Sequence, residues 1–423
     1  MLIRGQTLSF AANPFRAPPG DSLRHNRRGA VRVEDGRIGA VAPADALLPR
    51  PGEAVVEMGE ALLLAGFIDA HVHYSQTRII ASWGARLIDW LNRYTFPEEA
   101  RFADPAYAAE VAQDYLALSL ANGITSASVY CTSHPASVTA LMEAARPLGL
   151  RLAAGKVMMD RNARPDLLDS AERGHDETQA LIARWHGVER LEVAITPRFA
   201  PTSSPAQLEA AGALWAAHPA CPMQTHLSEQ PEEIAWVAEL FPDAPDYLGV
   251  YERFGLAGPG AIMGHAIHLT PRERAALAET GSGIAHCPTS NSFIGSGLFD
   301  AGLAADIPVG LATDVGGGSS FSMLRTMAAA YEIGQLRGRA LHPAQLLWLA
   351  TQGAAEVLRW GDKIGNLEAG READILALDL ASTPVIAQRA ARAEDLWEQI
   401  FPTIMLGDDR AIAGLWVAGR KLR

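Results

Sequence analysis

Apolar and polar positions fall into two regimes along the chain. Between about residues 66 and 317, short continuous apolar runs recur, each followed by a longer stretch rich in Ala, Leu and Glu. The runs are GFIDAHVHY, ITSASVYCT, LRLAAGKVMMD, LEVAITPRFAP, PMQTHLSE, AIMGHAIHL, GSGIAHCPTSN and IPVGLATDVGG. Continuous apolar runs of this length predict parallel strands covered on both faces. Stretches such as PAYAAEVAQDYLALSLANG, SPAQLEAAGALWAAH and TPRERAALAETG predict helices, several opening at Ser, Thr or Asp with a Pro just inside. Eight strand–helix repeats predict an α/β architecture, a (β/α)8 TIM-type barrel. An open doubly wound sheet is the rival, but no G-x-G-x-x-G follows a strand, so it gains no nucleotide fingerprint.

The two ends read differently. Residues 1–65 are short strands broken by turns, with AVRVEDGRIGAVAP carrying an Asp-Gly turn between alternating runs. ADILALDL and AIAGLWVAGRKLR repeat that character near the other end. The prediction is a small β-sandwich domain built from both termini, residues 1–65 with 374–423, around a barrel of residues 66–373. A chain of 423 residues accommodates a barrel of ~250 residues and a smaller partner.

Composition narrows the partners. Lys and Arg number 36 against 48 Asp and Glu, a net charge of −12 that disfavours nucleic acid and anionic membranes. No run reaches the ~18 apolar residues of a membrane span, and MLIRGQTLSFAANPF lacks the layout of a signal peptide. A cytoplasmic location is the expectation. The three cysteines show no C-x-x-C spacing, which argues against thiolate metal sites and redox motifs.

The polar residues of the middle region sit at the ends of the predicted strands, where barrel active sites are built. His71 and His73 close the first run at i and i+2, on one face of a strand. His226 closes the fifth run with Glu229 three residues on, His265 closes the sixth, and Asp314 the eighth. Neutral imidazoles with a carboxylate suit Zn²⁺ or a similar divalent ion. A core histidine is the ordinary reading of any one of these, and a helix N-cap that of Asp314; two buried imidazoles side by side need a shared partner.

GFIDAHVHYSQ, THLSE, MGHAIHL, AHCPTSN and ATDVGGG, in this order, resemble the amidohydrolase superfamily. The resemblance extends to GNLEAGREADI at 365–375. HVHYSQ (71–76), DWLNRYTFPEEARF (89–102), GKVMMDRN (155–162) and TPRFAPTSS (196–204) narrow it to the guanine deaminases within that superfamily. The resemblance implies a hydrolytic deamination of guanine to xanthine and ammonia, with one Zn²⁺ per chain held by His71, His73, His226 and Asp314. Histidine and carboxylate donors accept Fe²⁺ or Mn²⁺ as well. It also implies a homodimer. Asp314 is expected to take a proton from the attacking water, His265 to orient that water, and Glu229 to shuttle a proton to a ring nitrogen. Gln76 and Arg198 are expected at the substrate edge, with Phe199, Leu87 and Trp90 as walls. Without the resemblance, Glu229 reads equally as a solvated acid at a helix start, Arg198 as a salt-bridge partner, and Leu87 and Trp90 as core. Relatives acting on 8-oxoguanine, a pterin or a triazine would share every metal donor, and a non-catalytic barrel scaffold is the alternative of another class.

Overall fold

The structure, a computed structural model of the chain, describes residues 1–18, 20–83 and 87–423, without the side chains of Leu87 and Ile88. The chain opens with β1 (Leu2–Phe10), β2 (Leu23–Glu34), β3 (Arg37–Pro43) and β4 (Val55–Ala65). Asp35 and Gly36, at φ 48° and 77°, make the tight turn between β2 and β3 that the Asp-Gly pair predicts. The middle region supplies β5 (Phe67–His73), β6 (Ile124–Tyr130), β7 (Arg151–Gly155), β8 (Val157–Met158), β9 (Leu191–Val193), β10 (Thr196–Pro197), β11 (Met223–Leu227), β12 (Ala261–His265), β13 (Gly283–His286) and β14 (Val309–Leu311). The last strands are β15 (Ile375–Leu378), β16 (Ile412–Val417) and β17 (Arg420–Lys421).

Each of the eight predicted runs contains a strand, and the third and fourth are each divided in two. The predicted helices lie at Pro105–Ala121, Pro205–Ala217 and Pro271–Thr280, each with Pro at its start. Asp104, Ser204 and Thr270 cap them by accepting a backbone N–H from the first turn. Gly281 at φ 71° ends the third.

The middle strands form two parallel four-stranded sheets, β5-β6-β7-β9 and β11-β12-β13-β14. Ile195 bridges to Met223 in parallel on one side. On the other, Asp314 N donates to His71 O at 3.0 Å and Thr313 N to Asp69 Oδ1 at 2.9 Å. Enclosed by the strands is a core of mostly small side chains, Ile68, Ala70, Ala153, Ala194, Ile262, Ala285 and Ala312, plugged by Ala354, Ala355 and Trp360. Small residues fit the narrow interior, while Leu, Met and aromatic side chains fill the layer between strands and helices.

The strands from both termini share one mixed sheet in the order β17-β16-β15-β4-β1-β2-β3. The small β domain expected from both termini is hydrogen-bonded through this one sheet, whose long strands are bent by register shifts at Gly5–Thr7 of β1 and Arg4–Gln6 against β4. Ion pairs fasten this sheet to the N-terminal ends of the middle strands. Arg151 and Arg190 both donate to Glu372, and Arg190 also to Asp374 just ahead of β15. Among the described residues no helix is long and apolar enough to cross a membrane.

Candidate active site

At the opposite end, the strand termini carry the polar residues. Strict alternation along β5 would put His71 and His73 on the face opposite Ile68 and Ala70. An extra residue between Asp69 and Val72, relative to Ala127–Val129 of β6, breaks the alternation. Ile68 and Ala70 therefore join the enclosed core, Val72 packs outward, and the two imidazoles after the bulge turn inward. Four other positions at this rim, Ser228, His265, Ala266 and Asp314, have φ between 47° and 66°. Non-glycine residues there cost of order 1–3 kcal/mol each, a strain that clusters at functional sites.

The donors converge. His73 Nε2 and His226 Nε2 are 3.2 Å apart. Asp314 Oδ1 is 3.4 Å from His71 Nε2 and 3.6 Å from His73 Nε2. Donors at 2.0–2.1 Å around a tetrahedral ion stand about 3.3 Å from one another, so these spacings match one small cation. His226 Nδ1 lies 2.7 Å from Arg198 O, which fixes the tautomer and leaves the Nε2 lone pair facing inward. Neither ring nitrogen of His71 has a hydrogen-bond partner among the described residues. His71, His73 and His226 form one possible metal-holding group.

Charge supports the same conclusion. Burial holds His71 below the ordinary histidine value, and His73 and His226 well below it, which favours the neutral, metal-binding form of each ring. Burial opposes ionisation of Asp314, yet His71 and the other imidazoles bring its carboxyl down to about 2. Burial disfavours charge on the three rings while the imidazoles around Asp314 favour its ionised form, and a divalent ion among these donors would satisfy both tendencies.

His265 stands beside this group. Its Nε2 is 3.7 Å from Asp314 Oδ2 and 3.6 Å from Glu229 Oε2, and Nδ1 lies 2.9 Å from Asn291 Oδ1. Burial works against charge on His265, but Glu229 and Asp314 outweigh it and raise its pKa. Glu229 is fully buried; burial, with a contribution from Asp314, lifts its carboxyl above the ordinary glutamate value. Ser296 Oγ donates to Glu229 Oε1 at 2.8 Å. The solvated-acid reading of Glu229 therefore fails, because the side chain faces the cavity and not the bulk.

A partly open cavity connects these groups. Gln76, Trp90, Arg198, Phe199, Glu229 and His265 line it together with His73, His226 and Asp314. The side chain of the expected wall residue Leu87 is not among those the structure describes. Trp90 satisfies both of its readings, since it also packs in an apolar cluster with Leu91, Phe96 and Tyr130. Arg198 does too: it lines the cavity and is ion-paired, Nη1 to Glu99 Oε2 at 2.7 Å.

Several residues were not anticipated. Glu99 is fully buried behind Arg198 and Gln76; its only signal was membership of the 89–102 segment. Tyr130 packs its ring 4.6 Å from both His71 and His73. Asp69 accepts from Thr313 N and the Thr313 hydroxyl, and burial raises its carboxyl to about 7. Leu91, Ile294 and Gly317 complete the cavity wall.

The Amidohydrolase family model matches residues 62–422, which include every donor named above. The chain belongs to the amidohydrolase family. Among the relatives of this amidohydrolase, the guanine deaminase of Escherichia coli (strain K12) is 45% identical over 361 residues, 85% of this chain and 82% of that one. The probable guanine deaminase of Deinococcus radiodurans is 38% identical over 99% of this chain and 97% of its own. The solved E. coli guanine deaminase superposes with a TM-score of 0.96 at 39% identity, covering 100% of this chain and 99% of that one. A guanine deaminase from C. acetobutylicum with bound guanine in its active site superposes at 0.90, with 28% identity, over 100% and 99%. This amidohydrolase thus has the α/β fold of TIM-barrel type and is a hydrolytic enzyme.

Proposed function

We propose that this amidohydrolase deaminates guanine hydrolytically, releasing xanthine and ammonia. One observation carries the reading: Gln76, Arg198, Phe199 and Glu229 line the same cavity as His73, His226 and Asp314, in a chain 45% identical to a guanine deaminase. The junctions at Ile195–Met223 and Asp314–His71 support reading the two parallel sheets as one (β/α)8 barrel spanning 66–373. The shared terminal sheet supports a separate discontinuous unit of 1–65 with 374–423. The donor set suits one Zn²⁺, held by His71, His73, His226 and Asp314. Such an ion supplies a Lewis acid and lowers the pKa of a water to near ~7.

The chain's own groups divide the remaining work. Asp314 Oδ2, turned away from His71, takes a proton from the attacking water. His265 Nε2, between Asp314 and Glu229, orients that water. Glu229, with Oε1 held by Ser296, delivers its one proton through Oε2 to a ring nitrogen, and the proton that Asp314 took from the water then passes to the departing amine. Gln76 and Arg198 hold the ring edge and Phe199 its face, which keeps the amino-bearing carbon over the water. Guanine and water are the small-molecule partners; the homodimer is carried over from the resemblance, and the cytoplasmic location is the expectation read from the sequence. Ammonia release from guanine, 8-oxoguanine, adenine and cytosine tests the proposal. Turnover of guanine at least tenfold above the others is expected, and turnover of another base with none of guanine refutes it.

A further inference from the structure

Glu99 belongs to none of the groups that touch a metal or move a proton, yet it is among the most buried carboxylates of the chain. It accepts from Arg198 Nη1 through Oε2 at 2.7 Å and from Gln76 Nε2 through Oε1 at 3.1 Å. An ionised carboxylate only accepts hydrogen bonds. The Gln76 amide therefore has to present its NH₂ to Glu99, which leaves Oε1 as the free end. Oε1 lies against Gly316, where a side-chain carbon would come within 2.1 Å of it, next to Gly317 of the cavity wall. Among the described residues Oε1 accepts no hydrogen bond, and Arg198 Nε and Nη2 donate none. Phe96, 5.5 Å from the Arg198 guanidinium carbon, helps hold that plane.

We infer that Glu99 sets the specificity of the cavity by fixing an acceptor, Gln76 Oε1, beside donors on Arg198, and by cancelling the arginine's charge. This rests on the reading of the cavity as a purine site and names what its wall selects. Side by side, one acceptor and one donor match a neutral lactam edge, a ring N–H next to a C=O. An unpaired arginine would instead favour carboxylates and phosphates. A free glutamine would accept either orientation of its amide and so either edge. Glu99 is thus a positioning residue acting through Gln76 and Arg198.

The probes are hypoxanthine, which has the lactam edge, and purine, which lacks it; neither carries an amine to lose, so binding is read without turnover. Calorimetry on the purified wild type is expected to show hypoxanthine bound about 10- to 100-fold more tightly, the size of one hydrogen bond to a charged group. Glu99→Gln is expected to abolish most of that preference, to raise KM for guanine more than it lowers kcat, and to leave metal content unchanged. The exchange Gln76→Glu with Glu99→Gln restores an acceptor at position 76 and is expected to recover the preference, whether or not the single variant folds. A wild type that binds hypoxanthine no better than purine, a Glu99→Gln enzyme that keeps the preference, or an exchange variant that lacks it overturns the inference. A wild type inactive on guanine but with a Glu99-dependent preference refutes the guanine reading alone.

Discussion

Gly264 offers a sharp test of the metal centre because it touches the centre only through space. It sits in β12 opposite His226 of β11, one residue before His265. A Cβ at this position would stand 2.9 Å from His71 Cε1 and 3.1 Å from His71 Nδ1. Ordinary carbon contacts begin near 3.5 Å, so Gly264→Ala demands a shift of roughly 0.6 Å from one neighbour. The backbone of Gly264 is not in the left-handed region, so alanine brings no conformational strain of its own. His71 has little room to retreat: it is fully buried, with the rings of Tyr130, His226 and His73 at 4.6, 4.7 and 5.1 Å. Overpacking of this kind costs typically 1–3 kcal/mol. If that strain falls on the metal-bound arrangement, affinity for the ion drops by about 5- to 150-fold. The assay is competition with a chromophoric chelator, with metal content per chain measured after dialysis and melting of the metal-free protein as a control. Metal affinity within twofold of wild type would show that His71 is not held where a ligand must be.

Three further outcomes follow from the same geometry. Glu229→Gln keeps metal and base binding but lowers kcat by about 100-fold or more; rapid turnover would remove Glu229 from proton transfer. Arg190→Ala strands Asp374 and leaves Glu372 with Arg151 alone, and is expected to cost about 3–5 kcal/mol in urea unfolding, so a loss under about 1 kcal/mol refutes that account. Glu233 accepts the Glu229 and Gln230 amides and the Tyr247 hydroxyl, while burial, and then Glu229, raise its carboxyl to about 7. An acid whose pKa is higher folded than unfolded binds more protons when folded, so its contribution is present below about pH 4.5 and is lost as the pH rises to about 7. Wild type should therefore lose more stability between pH 4.5 and 7 than Glu233→Gln does, by up to about 3 kcal/mol; parallel stability curves would contradict this.

How much of this was legible in the sequence depends on how local the signal is. Apolar runs and capped helices are written in neighbouring residues, and the eight strands and the starts at Pro105, Pro205 and Pro271 emerge from them directly. The residues proposed to hold the metal stood out in the sequence because each falls at the end of a run. The bulge in β5 was not, because only pairing with β6 reveals the extra residue. Glu99 sits in a charged, helix-like stretch that reads as solvated; its burial comes from partners 23 and 99 residues away. Ser296 behind Glu229 is likewise 67 residues distant. The pairing within the terminal sheet was not legible either, because strand composition says nothing about whether β4 pairs with β15 or merely faces it.

That last pairing has a bearing on how the protein is made. β4 is flanked by β1 on one side and, through Leu62, Leu63 and Leu64, by β15 on the other. About 310 residues separate Ala65 from its partner Ile375, which at 5–20 residues per second is about 15–60 s of synthesis. Throughout that interval the leucine-rich edge of β4 has no strand to cover it, and exposed apolar edges recruit other chains. The finished molecule hides this edge completely, so a nascent chain stalled before Ile375 is the form most exposed to aggregation, and chaperone demand should peak there and not at the metal site.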